Sequence, residues 1–486
     1  MNLRKTTALL ILIVSVIFIN AQAVFPQGKK NSNTKPYPYG NPVIRHMYTA
    51  DAAPKVMPDG KVWMVTSVDH EDGGGYATMH CYHAFSSTDM VNWTDHGEIF
   101  NLDDALQGKP EPAGEDWALW APDMIYRNGK YYLYYPVRIL YTSGGYEENS
   151  RKTASYTAVA VSDAPDKKFK VIAPKLEGTS GIDPAVFVDD DGQPYIYYGS
   201  HMGAKLKENM YELDGKPIKL DVNDEHFMEA SWMNKHNGKY YLSYHAHYGK
   251  PIDPENPDDP KRLKSLLDYG MSDNPFGPFK HIGTMNYELG VNVNEGPKYK
   301  DKNYVPWRLY QSNHGGIVEF HGQEYLFYHT SALSSWRQDE FKGPGTWTQR
   351  SVCIDSLKYN ADGTIIPVQQ TLKSVDKVIV NQPFEINLQK KPIQLKAKKL
   401  SVKFKNVKLG SGYYYFGLKV SNVSKPTRAE IKLDSPKGKL VGTVLINKNG
   451  VSECSLRNAN GKCNVYIVFD SEVVVENMKF FAGKAK

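Results

Sequence analysis

The 486-residue sequence contains only four cysteines, no long apolar run beyond its first two dozen residues and little excess of either charge. So few cysteines exclude a fold built on a dense disulfide framework, and none of them has the CxxC spacing of a zinc or redox site. The 59 basic and 53 acidic side chains give a formal net charge of +6, which is too balanced to indicate a nucleic acid as partner. No segment after the N-terminus is apolar enough to span a membrane.

Helix signals are also scarce, because no long stretch combines a 3.6-residue apolar period with capping residues. Tyrosine is what the sequence has in excess: there are 33 Tyr, with 18 Phe and 8 Trp. Tyr and Trp favour β-structure, and they also suit surfaces that stack on sugar rings. The composition therefore predicts an ordered, all-β protein.

The first 23 residues have the pattern of a secretory signal peptide. Arg4 and Lys5 precede an apolar stretch over residues 8–19, and small residues at 21–23 supply the cleavage pattern. The apolar stretch is shorter than the roughly 20 residues that a membrane helix needs. We therefore predict a cleaved signal peptide over 1–23, a linker over 24–37, and a protein that is periplasmic or secreted.

One short phrase recurs five times along the chain. Each copy has a polar turn residue, then Gly, then an alternating aromatic and aliphatic run, which is typical of a tight hairpin. The copies read DGKVWMVTS (59–67), NGKYYLYYP (128–136), DGQPYIYYG (191–199), NGKYYLSYH (237–245) and HGQEYLFYH (321–329). Five copies of one hairpin predict a five-bladed β-propeller over residues 38–372. Unrelated hairpins within a β-sandwich are the alternative.

A carboxyl or imidazole group precedes the Gly of each hairpin by six to nine residues. These groups are Asp51, Asp123, Asp183, Glu229 and His314. Because the first strand of each blade lines the central channel, groups at equivalent positions are expected to meet at one mouth. Any one of them alone is more simply a turn cap, but their shared register favours a functional cluster. Five further histidines lie outside this register and are interpreted as structural or pocket-lining: His201, His226, His245, His247 and His329.

Pieces of the chain resemble glycoside hydrolase family 43 over residues 38–370. They are NPVIRHMYTAD (41–51), SSTDMVNWTDHG (86–97), WAPDMIYRNGKYYLYYP (120–136), IDPAVFVDDDGQPYIYYG (182–199), MEASWMNKHNGKYYLSYH (228–245), NHGGIVEFHGQEYLFYH (313–329) and QRSVCIDSLKYNADGT (349–364). The resemblance implies a five-bladed propeller and an inverting hydrolase of arabinose- or xylose-containing glycans. It implies no organic cofactor.

The resemblance also implies roles for individual residues. Asp51 would be the general base, Glu229 the general acid, and Asp183 an orienting carboxylate that sets the pKa of the acid. His314 would lie at a channel metal, calcium reached largely through water. Three residues would contact the substrate: Trp120, Asp123 and Arg350. In one departure from the family pattern, Ala52 rather than Pro follows the base.

Such a carboxyl pair suits the cleavage of a glycosidic bond. The acid protonates the leaving oxygen while the ionised base activates water on the opposite face, and inversion requires about 6.5–9.5 Å between the two groups. The acid must stay protonated near neutral pH, so Glu229 is expected to have a raised pKa. An anionic Asp183 nearby would raise it.

The composition changes towards the C-terminus, where no Trp follows Trp347 and Lys becomes frequent. Alternating runs such as VGTVLIN (441–447) and CNVYIVF (463–469) predict a β-sandwich over 378–486. The stretch AEIKLDSPKGKLVGTVLI (429–446) resembles a family 6 carbohydrate-binding module. Its usual stacking aromatics are missing unless residues 413–415, all Tyr, replace them, so a structural or degenerate module is favoured over a sugar binder.

Two questions stay open at the level of the sequence. The four cysteines allow three complete pairings, with Cys454 and Cys463 closest along the chain. The predicted activity is that of an exo-acting monomer that releases a terminal pentose from plant cell-wall polysaccharide or oligosaccharide. α-L-Arabinofuranose is favoured; a β-xylosidase and a sugar-binding propeller without catalysis are the alternatives.

Overall fold

The computed structural model describes residues 36–73, 75–141, 153–249, 264–288, 313–342, 345–346, 348–389, 391–396 and 400–486. The predicted signal peptide and nearly all of the predicted linker lie outside these ranges. No helix within them is long and apolar enough to cross a membrane.

Five antiparallel sheets follow one another along the chain, each with its strands in sequence order from the inside outwards. The first sheet contains β1 (Thr49–Val56), β2 (Val62–Val68), β3 (Cys81–Ser87) and β4 (Trp93–Asn101). The second contains β5 (Glu115–Leu119), β6 (Asp123–Arg127), β7 (Lys130–Tyr141), β8 (Thr153–Ser162) and β9 (Lys170–Ala173). Both β5 and β6 pair with β7. Together they form the inner strand of this sheet, which is interrupted at residues 120–122.

The other three sheets have four strands each. The third contains β10 (Ala185–Val188), β11 (Pro194–Tyr198), β12 (Met202–Lys205) and β13 (Ile218–Lys219). The fourth contains β14 (Phe227–His236), β15 (Lys239–Tyr248), β16 (Lys264–Ser272) and β17 (Lys280–Asn286). The fifth contains β18 (Gly316–Phe320), β19 (Gln323–Thr330), β20 (Ser351–Tyr359) and β21 (Ile365–Ile366). Helices are short: α1 (Leu102–Ala105), α2 (Ala332–Asp339) and one 3₁₀ turn (Tyr76–Thr78).

The repeated hairpins join the two inner strands of every sheet, as the sequence predicts. The glycine of each turn has a φ between 79° and 88°, in the left-handed region that a side chain disfavours. Buried apolar clusters lie between successive sheets, and Met64, Phe85, Phe327 and Ile354 belong to the cluster that joins the fifth sheet to the first. The sheets are therefore the blades of a closed ring, and the predicted five-bladed propeller is confirmed.

Two further sheets form the C-terminal part. One contains β22 (Ile386–Gln389), β23 (Ile393–Gln394), β25 (Tyr415–Ser421), β28 (Gly450–Ser455) and β30 (Val474–Phe481). The other contains β24 (Ser401–Gly410), β26 (Thr427–Leu433), β27 (Leu440–Ile446) and β29 (Gly461–Phe469). Residues of both sheets share one apolar core, as the predicted β-sandwich requires. Cys454 and Cys463 are both free thiols here, and so are the other two cysteines.

The sandwich docks against the hairpin-turn face of the propeller. The hydroxyl of Tyr415 donates to the carbonyl of Val56 over 2.9 Å, and that of Tyr126 donates to Glu453 Oε2 over 2.6 Å. Arg457 reaches Asp190 on another blade. The three tyrosines at 413–415 are at most 8% exposed, so they are not available to stack on a sugar as one reading of the sequence suggested.

Candidate active site

Three carboxylates lie at irregularities of the backbone, in or next to the inner strands of three blades. The β1–β2 ladder is interrupted around Asp51, which has a φ of 56°, and Asp183 has a φ of 57° just before β10. In β14 the ladder is interrupted on both sides of Glu229, and Ala230 has a φ of 62°. Non-glycine residues in this region cost roughly 1 kcal/mol or more, and such strain clusters at functional sites. A residue with positive φ at or next to a carboxylate in three blades makes this end of the channel the candidate active site.

Asp51 is almost fully buried and is surrounded by donors. Its Oδ1 lies 3.0 Å from Arg350 Nη1 and 3.0 Å from His314 Nδ1, and its Oδ2 accepts from Ser67 Oγ over 2.5 Å. Burial alone would raise the pKa of Asp51, but the positive charges of Arg350 and His314 outweigh it and hold that pKa well below its usual range. Asp51 is therefore an ionised carboxylate, the state that a general base requires.

Arg350 is held in place by a second carboxylate. Asp69 accepts from Nε over 2.9 Å and from Nη2 over 2.7 Å, and it also accepts from the backbone N–H of Arg350. The guanidinium carbon lies 5.1 Å from the centre of the Tyr76 ring. The contacts of Arg350 within the protein thus orient Asp51; a contact of Arg350 with substrate stays a prediction.

His314 links two of the carboxylates. Its Nδ1 faces Asp51, and its Nε2 lies 3.7 Å from Asp183 Oδ1. Burial would lower the pKa of His314, but the two carboxylates raise it well above its ordinary value, so the ring is an imidazolium. The neighbouring His329 is different: its Nδ1 accepts from the backbone N–H of Asp51 over 3.2 Å, and burial and Arg350 hold its pKa well below the ordinary value.

The pKa values of Asp183 and Glu229 are shifted in opposite directions. Burial raises the pKa of Asp183, and the charges of Glu229 and Asp51 raise it further. Burial would also raise the pKa of Glu229, but His245, whose Nδ1 lies 3.5 Å from Glu229 Oε1, lowers it. The expectation that the pKa of Glu229 is raised was therefore wrong for the free protein, because it overlooked the imidazole beside Glu229.

Asp123 does not join this group. It is buried in an ion pair with Lys55, and its Oδ2 accepts from the backbone N–H of Val186 over 2.7 Å. Lys55 also lies over the ring of Trp232, 4.5 Å from its centre. These contacts give Asp123 a role in joining blades, and its predicted contact with substrate is untested.

Trp120 lies where the inner strand of the second blade is interrupted. Its Nε1 donates to the carbonyl of Tyr76 over 2.9 Å, and the guanidinium carbon of Arg138 lies 5.0 Å from the centre of its ring. The indole is partly exposed. The polar edge of the indole is hydrogen-bonded to the turn that carries Tyr76, and the contact of Trp120 with a sugar ring stays a prediction.

A cavity of about 20 Å³, which has room for about one water molecule, lies beside the carboxylates in the channel. Asp51, Asp183 and His314 contribute to its lining together with small side chains. The small residues are Ala52, Ala53, Ala121, Ala185, Ala230, Ser231, Gly315 and Gly316. Their size leaves space for water behind the carboxylates.

The residues that sequence reasoning missed share a register that was present in the repeats. Ser67, His245 and His329 each occupy the ninth position of the repeated phrase, at the end of the second strand of their blades. Ser67 contacts Asp51, His329 contacts the same residue, and His245 contacts Glu229. The interpretation that these two histidines have no register was therefore wrong, since the ninth letter aligns them with each other and with Ser67.

The predicted channel calcium would lie beside Asp51, His314 and His329. One ligand atom from each of Asp51, His314 and His329 lies within 4.8 Å of the others. Calcium prefers six to eight oxygen ligands, whereas this group offers two imidazoles and one carboxylate. His314 faces carboxylates with both nitrogens, and His329 uses Nδ1 for a backbone N–H. These residues do not fit a directly coordinated calcium ion.

Comparison with known proteins gives the family. Residues 39–365 match the model for glycosyl hydrolases family 43. A xylosidase/arabinosidase of Bacteroides ovatus is 30% identical over 374 residues, which cover 66% of this chain and 95% of the relative. An arabinoxylan arabinofuranohydrolase of Paenibacillus polymyxa is 26% identical, covering 94% of this chain and 76% of the relative. The crystal structure of a Bacillus subtilis arabinoxylan arabinofuranohydrolase has the same fold, with a TM-score of 0.51 at 24% identity and coverage of 91% of this chain and 97% of that one. The chain therefore belongs to family 43 of the glycosyl hydrolases and is a glycosidase.

Proposed function

We propose that this glycosidase is an exo-acting, inverting enzyme that removes terminal α-L-arabinofuranosyl residues from arabinoxylan or arabinan. The observation that carries the proposal is the convergence of an ionised Asp51 with Asp183 and Glu229 at one mouth of the propeller. A β-xylosidase is the second candidate. A propeller that only binds sugar is disfavoured, because binding alone does not need this set of carboxylates.

In the proposed mechanism Asp51 accepts a proton from the attacking water. Arg350, His314 and Ser67 fix the carboxylate and keep it ionised, so it can take the proton as the water attacks the anomeric carbon. Glu229 gives its proton to the leaving oxygen on the opposite face of the sugar ring. The two roles need groups on different strands across the channel, which blades one and four provide.

Glu229 must gain a proton before it can act as the acid. Its side chain is 15% exposed in the free protein, and His245 favours its ionised form. A sugar that covers Glu229 removes the remaining water from the carboxyl, and this raises its pKa. We therefore propose that Glu229 takes up a proton when substrate binds, because the bound sugar, and not Asp183 alone, raises the pKa of Glu229.

The preference for arabinofuranose is supported by how far the relatives match. The Paenibacillus arabinoxylan arabinofuranohydrolase aligns with 94% of this chain, including the C-terminal sheets, whereas the Bacteroides xylosidase/arabinosidase aligns with 66%. The match over both parts favours arabinose removal from arabinoxylan. Because Tyr414 and Tyr415 are buried against the propeller and Tyr413 lies in the core of the sandwich, we propose that the sandwich stabilises the enzyme and does not bind the polymer through those rings.

We also propose that the enzyme is exported from the cytoplasm. The N-terminal pattern of a signal peptide and the extracellular location named for a Bacillus subtilis endo-arabinanase, 26% identical over 242 residues, support action outside the cytoplasm. A hydrated calcium ion held near His314 through water also remains part of the proposal. An anomalous-scattering map with no ion in the channel would remove calcium from it.

The test is a comparison of 4-nitrophenyl α-L-arabinofuranoside with 4-nitrophenyl β-D-xyloside, followed by release of free arabinose from arabinoxylan. We expect the higher kcat/KM on the arabinofuranoside, and loss of both activities in Asp51→Asn. Preference for the xyloside would favour the β-xylosidase. Calorimetric binding of pentose oligosaccharides with no turnover on either glycoside would favour the binding propeller and contradict the proposal.

A further inference from the structure

A second group of titratable side chains lies on the other side of β15 from Glu229. His245 on this strand faces Glu229, whereas its neighbour Tyr244 donates to Asp224 over 2.7 Å. Asp224 lies in the segment that joins the third blade to the fourth, before β14. The proposed mechanism does not use Asp224 or the residues around it.

Three side chains converge at Asp224. One ligand atom each of Asp224, Asp268 on β16 and His281 on β17 lies within 4.8 Å of the other two. His281 Nε2 is 3.1 Å from Asp268 Oδ2 and 3.7 Å from Asp224 Oδ2. The group therefore brings two carboxylates and one imidazole nitrogen to a single point.

Neighbouring donors hold both carboxylates in position. Tyr244 donates to Asp224 Oδ2, and Tyr248 donates to Asp268 Oδ2 over 2.6 Å. The backbone N–H of His226 donates to Asp224 Oδ1 over 2.9 Å. Carboxylates that ligate metals are commonly oriented in this way by an outer layer of hydrogen bonds.

The charge of the two carboxylates is not balanced by any described cationic side chain other than His281. Their side chains are only 3% and 0% exposed, and within the described ranges neither Asp224 nor Asp268 forms an ion pair with Lys or Arg. In addition, Asp268 Oδ1 is buried and accepts no hydrogen bond from the residues described. Two adjacent buried carboxylates with an oxygen left over are unfavourable unless a cation joins them.

We propose that Asp224, Asp268 and His281 bind a divalent transition-metal ion of the zinc type. One imidazole nitrogen and two carboxylate oxygens are ligands that Zn²⁺ accepts, with water in the remaining position. The side chain of His281 is 29% exposed, so solvent reaches the group from this side. Calcium would need more oxygen ligands than these residues supply. The ion would join the segment between blades three and four to β16 and β17, the two outer strands of blade four.

The test uses the whole protein after removal of metals with a chelator. Zinc binding is measured by calorimetry and by the metal content of the dialysed protein, and the melting temperature is measured with and without Zn²⁺. We expect the parent protein to bind one more zinc ion than His281→Gln or Asp268→Asn. The rise in melting temperature that this zinc produces should be absent from both variants, because an ion that binds only the folded state stabilises it.

A matched control is His83→Gln. His83 lies 3.2 Å from Asp95, so it is also a His–Asp contact, but it belongs to no three-residue group that could hold a metal among the described residues. This variant should bind as much zinc as the parent. Circular dichroism establishes that each variant is folded, and His281→Gln, at a partly exposed position, decides the question if Asp268→Asn does not fold.

Three results would overturn the proposal. One is equal zinc content and an equal melting-temperature rise in the parent, His281→Gln and Asp268→Asn, which would place any bound zinc elsewhere. Another is a parent protein that binds no zinc, in which case His281 only contacts the two carboxylates. Displacement of zinc from this group by equimolar Ca²⁺ would contradict the assigned class of ion.

Discussion

Arg350 donates from Nη1 to Oδ1 of Asp51 over 3.0 Å, and both side chains are at most 4% exposed. Asp69 binds the same guanidinium through Nε and Nη2. A carboxylate buried this deeply would otherwise have a raised pKa and lose its charge. The Arg350–Asp51 contact therefore keeps the proposed base ionised.

Replacing Arg350 with Gln should move the acidic limb of the kcat/KM profile to higher pH. Loss of the guanidinium raises the pKa of Asp51, and a base works only above its own pKa, so activity disappears at a higher pH as the solution is acidified. A pH profile with a nitrophenyl glycoside measures this. The control Arg337→Gln removes a contact with Glu71 and should leave the limb in place. An unmoved acidic limb in Arg350→Gln would show that Arg350 does not set the charge of Asp51.

Glu229→Gln should reduce the rate more on substrates whose leaving group needs a proton than on substrates whose leaving group does not. A nitrophenolate scarcely needs a proton, so the activated glycoside should lose much less rate than a natural arabinoside. Asp51→Asn should reduce turnover on both substrates, by about 10²–10⁴-fold. Single-substrate kcat values for the two variants check this. Equal losses for Glu229→Gln on both substrates would assign the acid role to another group.

The Lys55–Asp123 ion pair should contribute to the stability of the folded protein and not to substrate binding. Lys55→Met leaves a buried carboxylate without its partner and should lower the free energy of unfolding by about 3–5 kcal/mol. The double variant Lys55→Met/Asp123→Leu should recover most of that loss, because no buried charge remains. Urea unfolding of the three proteins measures the difference. If Asp123 were instead a substrate contact, Asp123→Asn would raise KM with an unchanged unfolding midpoint.

The tyrosines of the sandwich should contribute to docking and not to polymer binding. Tyr415→Ala should cost about 3–5 kcal/mol of unfolding free energy, because a buried ring is lost. Tyr415→Phe should cost only about 1 kcal/mol for the hydrogen bond to Val56. The fraction that sediments with insoluble arabinoxylan should be the same for both folded variants and the parent. A selective loss of sedimentation in Tyr415→Ala, with normal stability, would instead make this ring a sugar contact.

The propeller could be predicted from the sequence because its signal is local. Each hairpin needs a glycine with positive φ at one fixed place, and the alternating run after it belongs to the same short segment. The register of the carboxylates before each hairpin likewise led to Asp51, Asp183 and Glu229. His245 and His329 had an equally local signal, because both occupy the ninth position of the repeated hairpin sequence. A comparison of that position across the five copies would have identified them.

Other features of the site depend on contacts that no local pattern encodes. Arg350 is 299 residues from Asp51 along the chain, and Lys55 is 68 residues from Asp123. The repeat places Asp123 in register with the other carboxylates, yet a lysine from the neighbouring blade takes it into an ion pair. The pKa of Glu229 was wrongly predicted for the same reason, since the sign of the shift depends on His245 from the adjacent strand.

Inversion requires that Asp51 activates a water molecule on one face of the sugar while Glu229 protonates the leaving oxygen on the opposite face. Proton NMR of the first product released from an α-L-arabinofuranoside tests it most directly, because the anomeric signal is read before mutarotation. With inversion, β-L-arabinofuranose appears first and the α-anomer grows in only later. Initial release of the α-anomer would show retention through a covalent intermediate, and it would contradict the assignment of Asp51 as a base that activates water.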